Sequence, residues 1–276
     1  MIKNKKISSV LIHTLMFGLA LSWLYPYAWM FVSSFKKTDE IFNTSLFGGS
    51  YTLWNYNFLL ESAEKMQRPF LRALGNSVFI AIIVTFTVLI TSAIVAYALT
   101  KMEFKGREKI KSFILFQMVF PSFMFIIPMY VLIRQLGLIN TYSALIIPSL
   151  MSGWGIFMMS QSFKGTPNDY IEAAKIDGAG DLWIIFKLMI PLNKSIVAIV
   201  AIFTFTGVWD NFMWPLIVMQ DFNKMPLSVL LATFSKAYGV YVGPVLAGSV
   251  IQTIPMLLLF VIFRKHFLEG MSLSLK

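Results

Sequence analysis

The chain has 276 residues, of which 57% are hydrophobic and 13% charged, with no cysteine and a formal net charge of +10 at pH 7. A soluble domain carries about twice that charged fraction, and a chain without cysteine has no disulfide, thiolate metal site or catalytic thiol. The apolar residues also come in long runs, which assigns the chain to the membrane.

Residues 7–35, 73–100, 112–133, 135–163 and 237–263 contain no Asp, Glu, Lys or Arg, and 195–219 is interrupted only by Asp210. Each run is at or above the ~20 residues that cross a hydrocarbon core. They predict an all-α polytopic membrane protein. It would be a single transmembrane domain over 1–276, with six spans near 10–35, 74–100, 112–134, 142–162, 195–219 and 242–263. The basic "MIKNKK" ahead of the first run suggests a signal peptide, whose apolar region is ~7–15 residues and ends at small residues. This run is longer and finishes in "YPYAWMFVSSFKK", so it is expected to be the first span.

Six spans put both termini on one side. With the N-terminus inside, the inner segments hold 15 of the 23 Lys and Arg residues and the outer segments hold 8. Short loops rich in Lys and Arg stay cytoplasmic. Both termini are therefore expected in the cytoplasm, in a multi-pass protein of the cell membrane. The basic balance is then topological, and no nucleic-acid partner is expected. Residues 36–72 and 220–240 are expected as outer loops, the first with a short interfacial helix around "YTLWNYNFLLESAEKM". Prolines at 121, 128, 148, 215, 244 and 255 fall within spans and mark kinks, whose freed carbonyls neighbours can satisfy. Such kinks serve shape or a gate.

Residues 164–194 form an inner polar patch between the fourth and fifth spans. Thr166, Pro167 and Asp169 have the pattern of a capping box, which predicts a helix from about Pro167 to Asp177. Gly178 fits the left-handed position that closes a helix. Asp181 is expected to cap a second helix, "LWIIFKLMI", stopped by Pro191, with Trp183 and Phe186 against the base of the bundle. Ala173, Ala174, Gly178, Ala179 and Gly180 are small enough to admit another backbone, as between membrane helices. A helical bump with a small-residue tip is a docking key. The competing reading is an amphipathic helix lying on lipid, although such helices favour several basic residues and this one has only Lys175.

"EAAKIDGAGDLWIIFKLMIPL", residues 172–192, resembles the EAA motif of ABC importer permeases, within the carbohydrate-uptake branch that includes the smaller permease of maltose systems. "LRALGNSVFIA", "YALTKMEFKGRE", "FIIPMYVLIRQLGLINTYSALIIPSL", "WDNFMWPLIVMQ" and "RKHFLEG" look like further landmarks of that family, spread over nearly the whole chain. The resemblance implies that Glu172, Ala173, Ala174, Asp177, Gly178 and Ala179 belong to a coupling helix that fits a cleft on a cytoplasmic ATPase subunit. It also implies a second homologous permease, two ATPase subunits and an extracytoplasmic sugar-binding protein as partners, with membrane lipid around the chain. ATP and Mg would reside on the ATPase subunits and no cofactor on this chain. Consistently, G-x-x-x-x-G-K-[ST], the loop that cradles ATP phosphates, is absent from the sequence. The tail "MSLSLK" departs from the family pattern, so a contact of the tail with the ATPase is not carried over from the resemblance.

The fifth run contains "TFTGVWDNFMWPL". Asp210 lies about 22 Å along a helix from Ser195, at a depth where an ionisable residue usually faces a bundle interior or water. Trp209, Asp210, Asn211 and Trp214 combine polar groups with aromatic faces, which is what a sugar requires; the alternative is an interfacial anchor. The family more often writes Asn before the acidic residue here, and the order is reversed in this chain. No catalytic or metal-binding constellation is present: His13 and His266 are far apart, and neither H-E-x-x-H nor G-x-S-x-G occurs. The expected function is import of a mono- or oligosaccharide. Alternatives are import of glycerol phosphate or another polar solute, and an ion-coupled carrier, which usually buries several ionisable groups.

Overall fold

The structure, a computed structural model, describes residues 2–42, 45–238 and 241–273. It is predominantly helical, and no strand longer than an isolated bridge between Lys36 and Tyr51 occurs among the described residues. In chain order the main helices are α1 (Ile2–Ser33), α2 (Phe70–Lys101), α3 (Arg107–Val119), α4 (Ile126–Gln135), α5 (Gly153–Lys164), α6 (Asn168–Ile176), α7 (Asp181–Leu192), α8 (Lys194–Trp209), α9 (Met213–Val218), α10 (Leu227–Tyr238) and α11 (Val242–Leu273). Four helical segments are long and apolar enough to cross a membrane: Ser9–Ser33, Phe70–Lys101, Tyr142–Lys164 and Val242–Lys265. The number rises to six if two bent pairs each count as one span. These are Arg107–Val119 with Ser122–Gln135, bent by 95°, and α7 with α8, bent by 90°.

The bends and breaks have local causes. Pro121 stands at the corner after α3 in an extended conformation. The apolar run 195–219 is not one helix, because α8 ends at Trp209 and α9 begins only at Met213. Pro215 lacks the N–H that would bond the Asn211 carbonyl, and the Ser228 hydroxyl donates to that carbonyl instead, at 2.9 Å. A second break falls at residues 150–152, just before α5. There the Thr91 hydroxyl donates to the Leu150 carbonyl at 3.0 Å. The expected outer loop 220–240 contains α10, and its residues 239–240 lie outside the described ones, as do residues 274–276 of the tail.

The chain divides into two compact units. In the first, residues 1–70 and 230–254, the loop after α1 is a folded cap. The short helical stretch Trp54–Lys65 forms where an interfacial helix was expected. Asn55 is fully buried and donates to the Ser34 and Lys36 carbonyls at 2.8 Å each. The buried Lys36 donates to the Ser45 carbonyl at 2.7 Å. The Ser50 backbone N–H donates to Glu40, which holds that carboxyl below its usual range. Arg68 donates to the Thr233 carbonyl and lies over the Phe234 ring.

The second unit, residues 71–229 and 255–276, holds the larger core. Val84, Val88 and Tyr97 of α2 meet Met159 and Phe163 of α5, Ile184 and Met189 of α7, and Val200 of α8 in one cluster. Close approach depends on Gly155, where an added Cβ would lie 2.7 Å from Ser92 Oγ and 3.3 Å from Val200 Cγ1. The Ser92 hydroxyl is itself buried without a hydrogen-bond partner. Gly155→Ala should therefore destabilise the protein by about 1–3 kcal/mol, the usual cost of overpacking. In a Ser92→Ala background the same change should cost much less, because the colliding atom is gone. Thermal unfolding of the four members of this cycle checks the coupling.

Candidate functional site

The polar patch folds as helix, tight turn, helix. α6 is only nine residues long, too short to persist alone in water, and its stability comes from where it is held. Ile171 of α6 and Ile184, Ile185 and Met189 of α7 are buried. Gly178 has φ +83°, the left-handed closure expected of it. The helix starts at Asn168 and its end at Ile176 is within a residue of expectation.

Four local expectations are corrected. Thr166 does not cap α6, since its hydroxyl accepts from Asn193 Nδ2 at 3.1 Å and α6 has no side-chain cap. Asp181 does not cap α7; its Oδ1 accepts the Tyr97 hydroxyl at 2.9 Å and pairs with Lys175 at 3.6 Å. Pro191 does not stop α7. A widened turn over Ile184–Met189 carries the helix on to Leu192, and the corner comes at Asn193. Trp183 and Phe186, expected against the base of the bundle, are exposed.

The end of α2 ties this module down. Tyr97 holds the start of α7, and Lys101 Nζ donates to the Thr166 carbonyl at 2.6 Å and to Asn168 Oδ1 at 2.8 Å, holding the start of α6. Asn193 adds a third knot, accepting from Ser162 at 2.6 Å and donating to the Met189 carbonyl at 2.8 Å. α6 thereby presents a fixed outward face. Asp169, Glu172, Ala173 and Ile176 fall on it by helical spacing, all exposed, with Ile176 86% exposed. Asp177 and Gly178 are exposed at its end. Ala174 and Ala179 instead pack partly buried onto the core. Tyr170, Ile176, Leu182 and Trp183 add exposed apolar surface that sequence reasoning passed over. The available signal was phase: Ile176 lies opposite Ile171 on the helix, so both cannot face the bundle.

The second group of residues separates. Trp209 is 2% exposed and stacked on Phe205, a core residue. Asp210 ends α8 and is exposed. Trp214 donates its indole N–H to the Ala144 carbonyl at 2.9 Å. Asn211 lines an open cavity of about 580 Å³ with Ser149, Ser152, Trp154, Thr204 and Gly207. Both helix breaks border this cavity, through Ser149, Met151 and Ser152 on one side and Asn211 on the other. Irregular backbone at membrane depth is tolerated where it is buried in protein or lines a water-filled space.

These features meet in one family. The model of the binding-protein-dependent transport system inner membrane component matches residues 89–272. The chain belongs to that family. It is 32% identical to an arabinooligosaccharides transport system permease protein of Halalkalibacterium halodurans, over 98% of both chains. It is 31% identical to a diacetylchitobiose uptake system permease protein of Streptomyces coelicolor, over 94% of this chain and 86% of that one. The fold matches a bacterial ABC transporter involved in the import of the acidic polysaccharide alginate, with a TM-score of 0.83, 25% identity, and coverage of 96% of this chain and 98% of that one. As an inner membrane component of this family, the chain is a multi-pass membrane subunit that works with an ATPase and a substrate-binding protein.

The anchoring of the module is open to test. Removing the hydroxyl with Tyr97→Phe, or the ammonium with Lys101→Met, should speed amide hydrogen exchange across residues 168–192 by about tenfold, the effect of losing ~1–1.5 kcal/mol of hydrogen bonding. Exchange along the middle of α2 should stay slow. Mass spectrometry of the exchanged peptides reads both regions in one experiment.

Proposed function

We propose that the chain is the permease subunit of an ABC importer that moves a mono- or oligosaccharide into the cytoplasm, driven by ATP hydrolysis on separate subunits. The observation that carries this reading is the exposed face of α6, held rigidly on the end of α2 by Tyr97 and Lys101. Glu172, Ala173, Asp177 and Gly178 form the surface offered to an ATPase cleft, with Ala174 and Ala179 supporting it from beneath. ATP and Mg reside on two ATPase subunits, since the sequence has no phosphate-cradling loop. A second homologous permease completes the pathway, and a sugar-binding protein delivers from outside. Six spans follow from the apolar runs, and the distribution of Lys and Arg puts both termini in the cytoplasm.

Closure of the ATPase subunits displaces α6. The polar ties pass that displacement to α2, and the cavity beside Asn211 alternates between outward and inward access. The lining offers hydroxyls, an amide and an indole, which suit sugar hydroxyls and an apolar ring face. It carries no charged side chain, which favours a sugar over glycerol phosphate. Relatives named for arabinooligosaccharides, lactose and diacetylchitobiose point the same way.

Orientation and coupling are tested separately. Single cysteines at Ser50 and Lys105, both exposed, should react with an impermeant reagent from opposite sides; reaction of both from outside excludes the topology. Ala173→Trp places an indole on the outward face and should lower sugar uptake at least tenfold, with loss of ATPase association or of stimulated hydrolysis, while thermal stability is kept. Ala174→Trp should instead lower stability first, because that side chain packs inward. Asn211→Ala should lower uptake with ATPase association intact. Full uptake and normal ATPase association in Ala173→Trp means that α6 rests on lipid instead.

A further inference from the structure

A second cavity, of about 330 Å³, opens between the end of α2, the start of α3 and the end of α5. Arg107, Lys111 and Lys164 line it, against the single acid Glu108, leaving two unmatched positive charges. Glu108 is shared, 3.3 Å from Arg107 and 2.7 Å from Lys111. It is 72% exposed at the rim, whereas Arg107 is 30% and Lys111 33% exposed. Lys164, exposed, takes part in no ion pair among the described residues. Ser160 contributes a buried hydroxyl with no hydrogen-bond partner. Within a turn of these groups the walls become apolar, with Leu99, Ile114, Leu115, Ile156 and Phe157.

We propose that this cavity binds the phosphate of an anionic phospholipid. Unmatched cations suit an anionic phosphodiester, and Ser160 lies in the adjoining wall. The step from basic rim to apolar wall matches an amphiphile: a soluble anion would leave the wall wet, while an acyl chain covers it. α3 has no buried residue, and Phe113 and Phe116 on it are exposed, so its outer surface needs an apolar covering, which acyl chains can supply. Basic pockets between helices at the cytoplasmic boundary are suited to anionic headgroups. The inner leaflet as the source rests on the topology proposed above. Lipid retention is read in detergent, so its failure leaves the labelling and uptake tests untouched.

The assembled transporter, stripped of lipid in mild detergent, is titrated with dioleoylphosphatidylglycerol or dioleoylphosphatidylcholine and examined by native mass spectrometry. Phosphatidylglycerol should be retained in preference to phosphatidylcholine, and millimolar inorganic phosphate should not displace it. K111Q and K164Q should each weaken retention about fivefold, and the double variant about twenty-fivefold, the factor expected from one surface cation at a time. K164R should restore binding. K109Q should change nothing, because Lys109 lies outside this cavity. Melting temperatures within a degree or two of the parent verify that the variants fold. Equal retention of the two lipids, undiminished binding in the double variant, or displacement by free phosphate overturns the proposal. So does an assembled complex in which another subunit blocks the cavity.

Discussion

The hydrogen bond from Tyr97 to Asp181, with its neighbour from Lys101 to the start of α6, is the constraint on which the remainder of the inner module depends. Neither α6 nor the turn at Gly178 has enough local structure to hold its own shape. Both are fixed because the first residues after each connection are bonded to one helix. Thr166 and Asp181 have the chemistry of helix caps, yet each is engaged by a side chain from elsewhere. Local helix stability is thereby exchanged for a mechanical link. A cap would have stabilised α6 or α7 alone; instead the Thr166 hydroxyl ties the start of α6 to Asn193, and Asp181 ties the start of α7 to α2.

A membrane imposes the second constraint. A carbonyl that loses its helical partner inside hydrocarbon costs several kcal/mol unless something else donates to it. The chain nonetheless breaks its helices at residues 150–152 and 210–212, and at each break a hydroxyl supplies the missing donor: Thr91 for Leu150 and Ser228 for Asn211. Breaks that are individually repaired and that both border one cavity are economical to explain as the wall of a pathway. Continuous helices would present only side chains there.

The sequence displayed the membrane class, the position and length of α6, and the left-handed Gly178, since each rests on local composition or a short-range steric rule. The inward turn of Ala174 and the exposure of Trp183 were hidden, although helical phase relative to Ile171 would have revealed the first. The C-terminal end of α8 and the break before α5 were not legible. An unbroken apolar run records hydrophobic surroundings, and it looks the same whether the backbone within it is helical or interrupted. Trp209 and Asn211, neighbours in sequence, go to core and cavity respectively, because the break between them resets helical phase. The Tyr97 to Asp181 bond spans 84 positions, and no local pattern encodes it.

α2 connects these parts. It has no proline in its 32 residues and would extend about 48 Å. At one end lie Tyr97 and Lys101. At the other, Asn76 donates to the Asn223 and Met225 carbonyls, Ser77 accepts from the Leu227 N–H, and Arg72 donates to Asn223. The segment it grips there is itself held by Asn140, whose side chain accepts from the Gln220 and Asp221 N–H groups. The Asn223 N–H in turn bonds Asp221 and keeps that carboxyl below its usual range. Between the two ends, Val84 and Val88 face the cavity and Thr91 repairs the break beside it. A stiff helix gripped by polar bonds at both ends and bordering the cavity in its middle cannot be tilted at one end alone. In the proposed cycle, displacing α6 would either rotate α2 together with the 223–227 segment or break these hydrogen bonds. In the proposed transport cycle, such a rotation would couple access to the cavity from its two sides through one helix, with no need for a signal to pass from residue to residue.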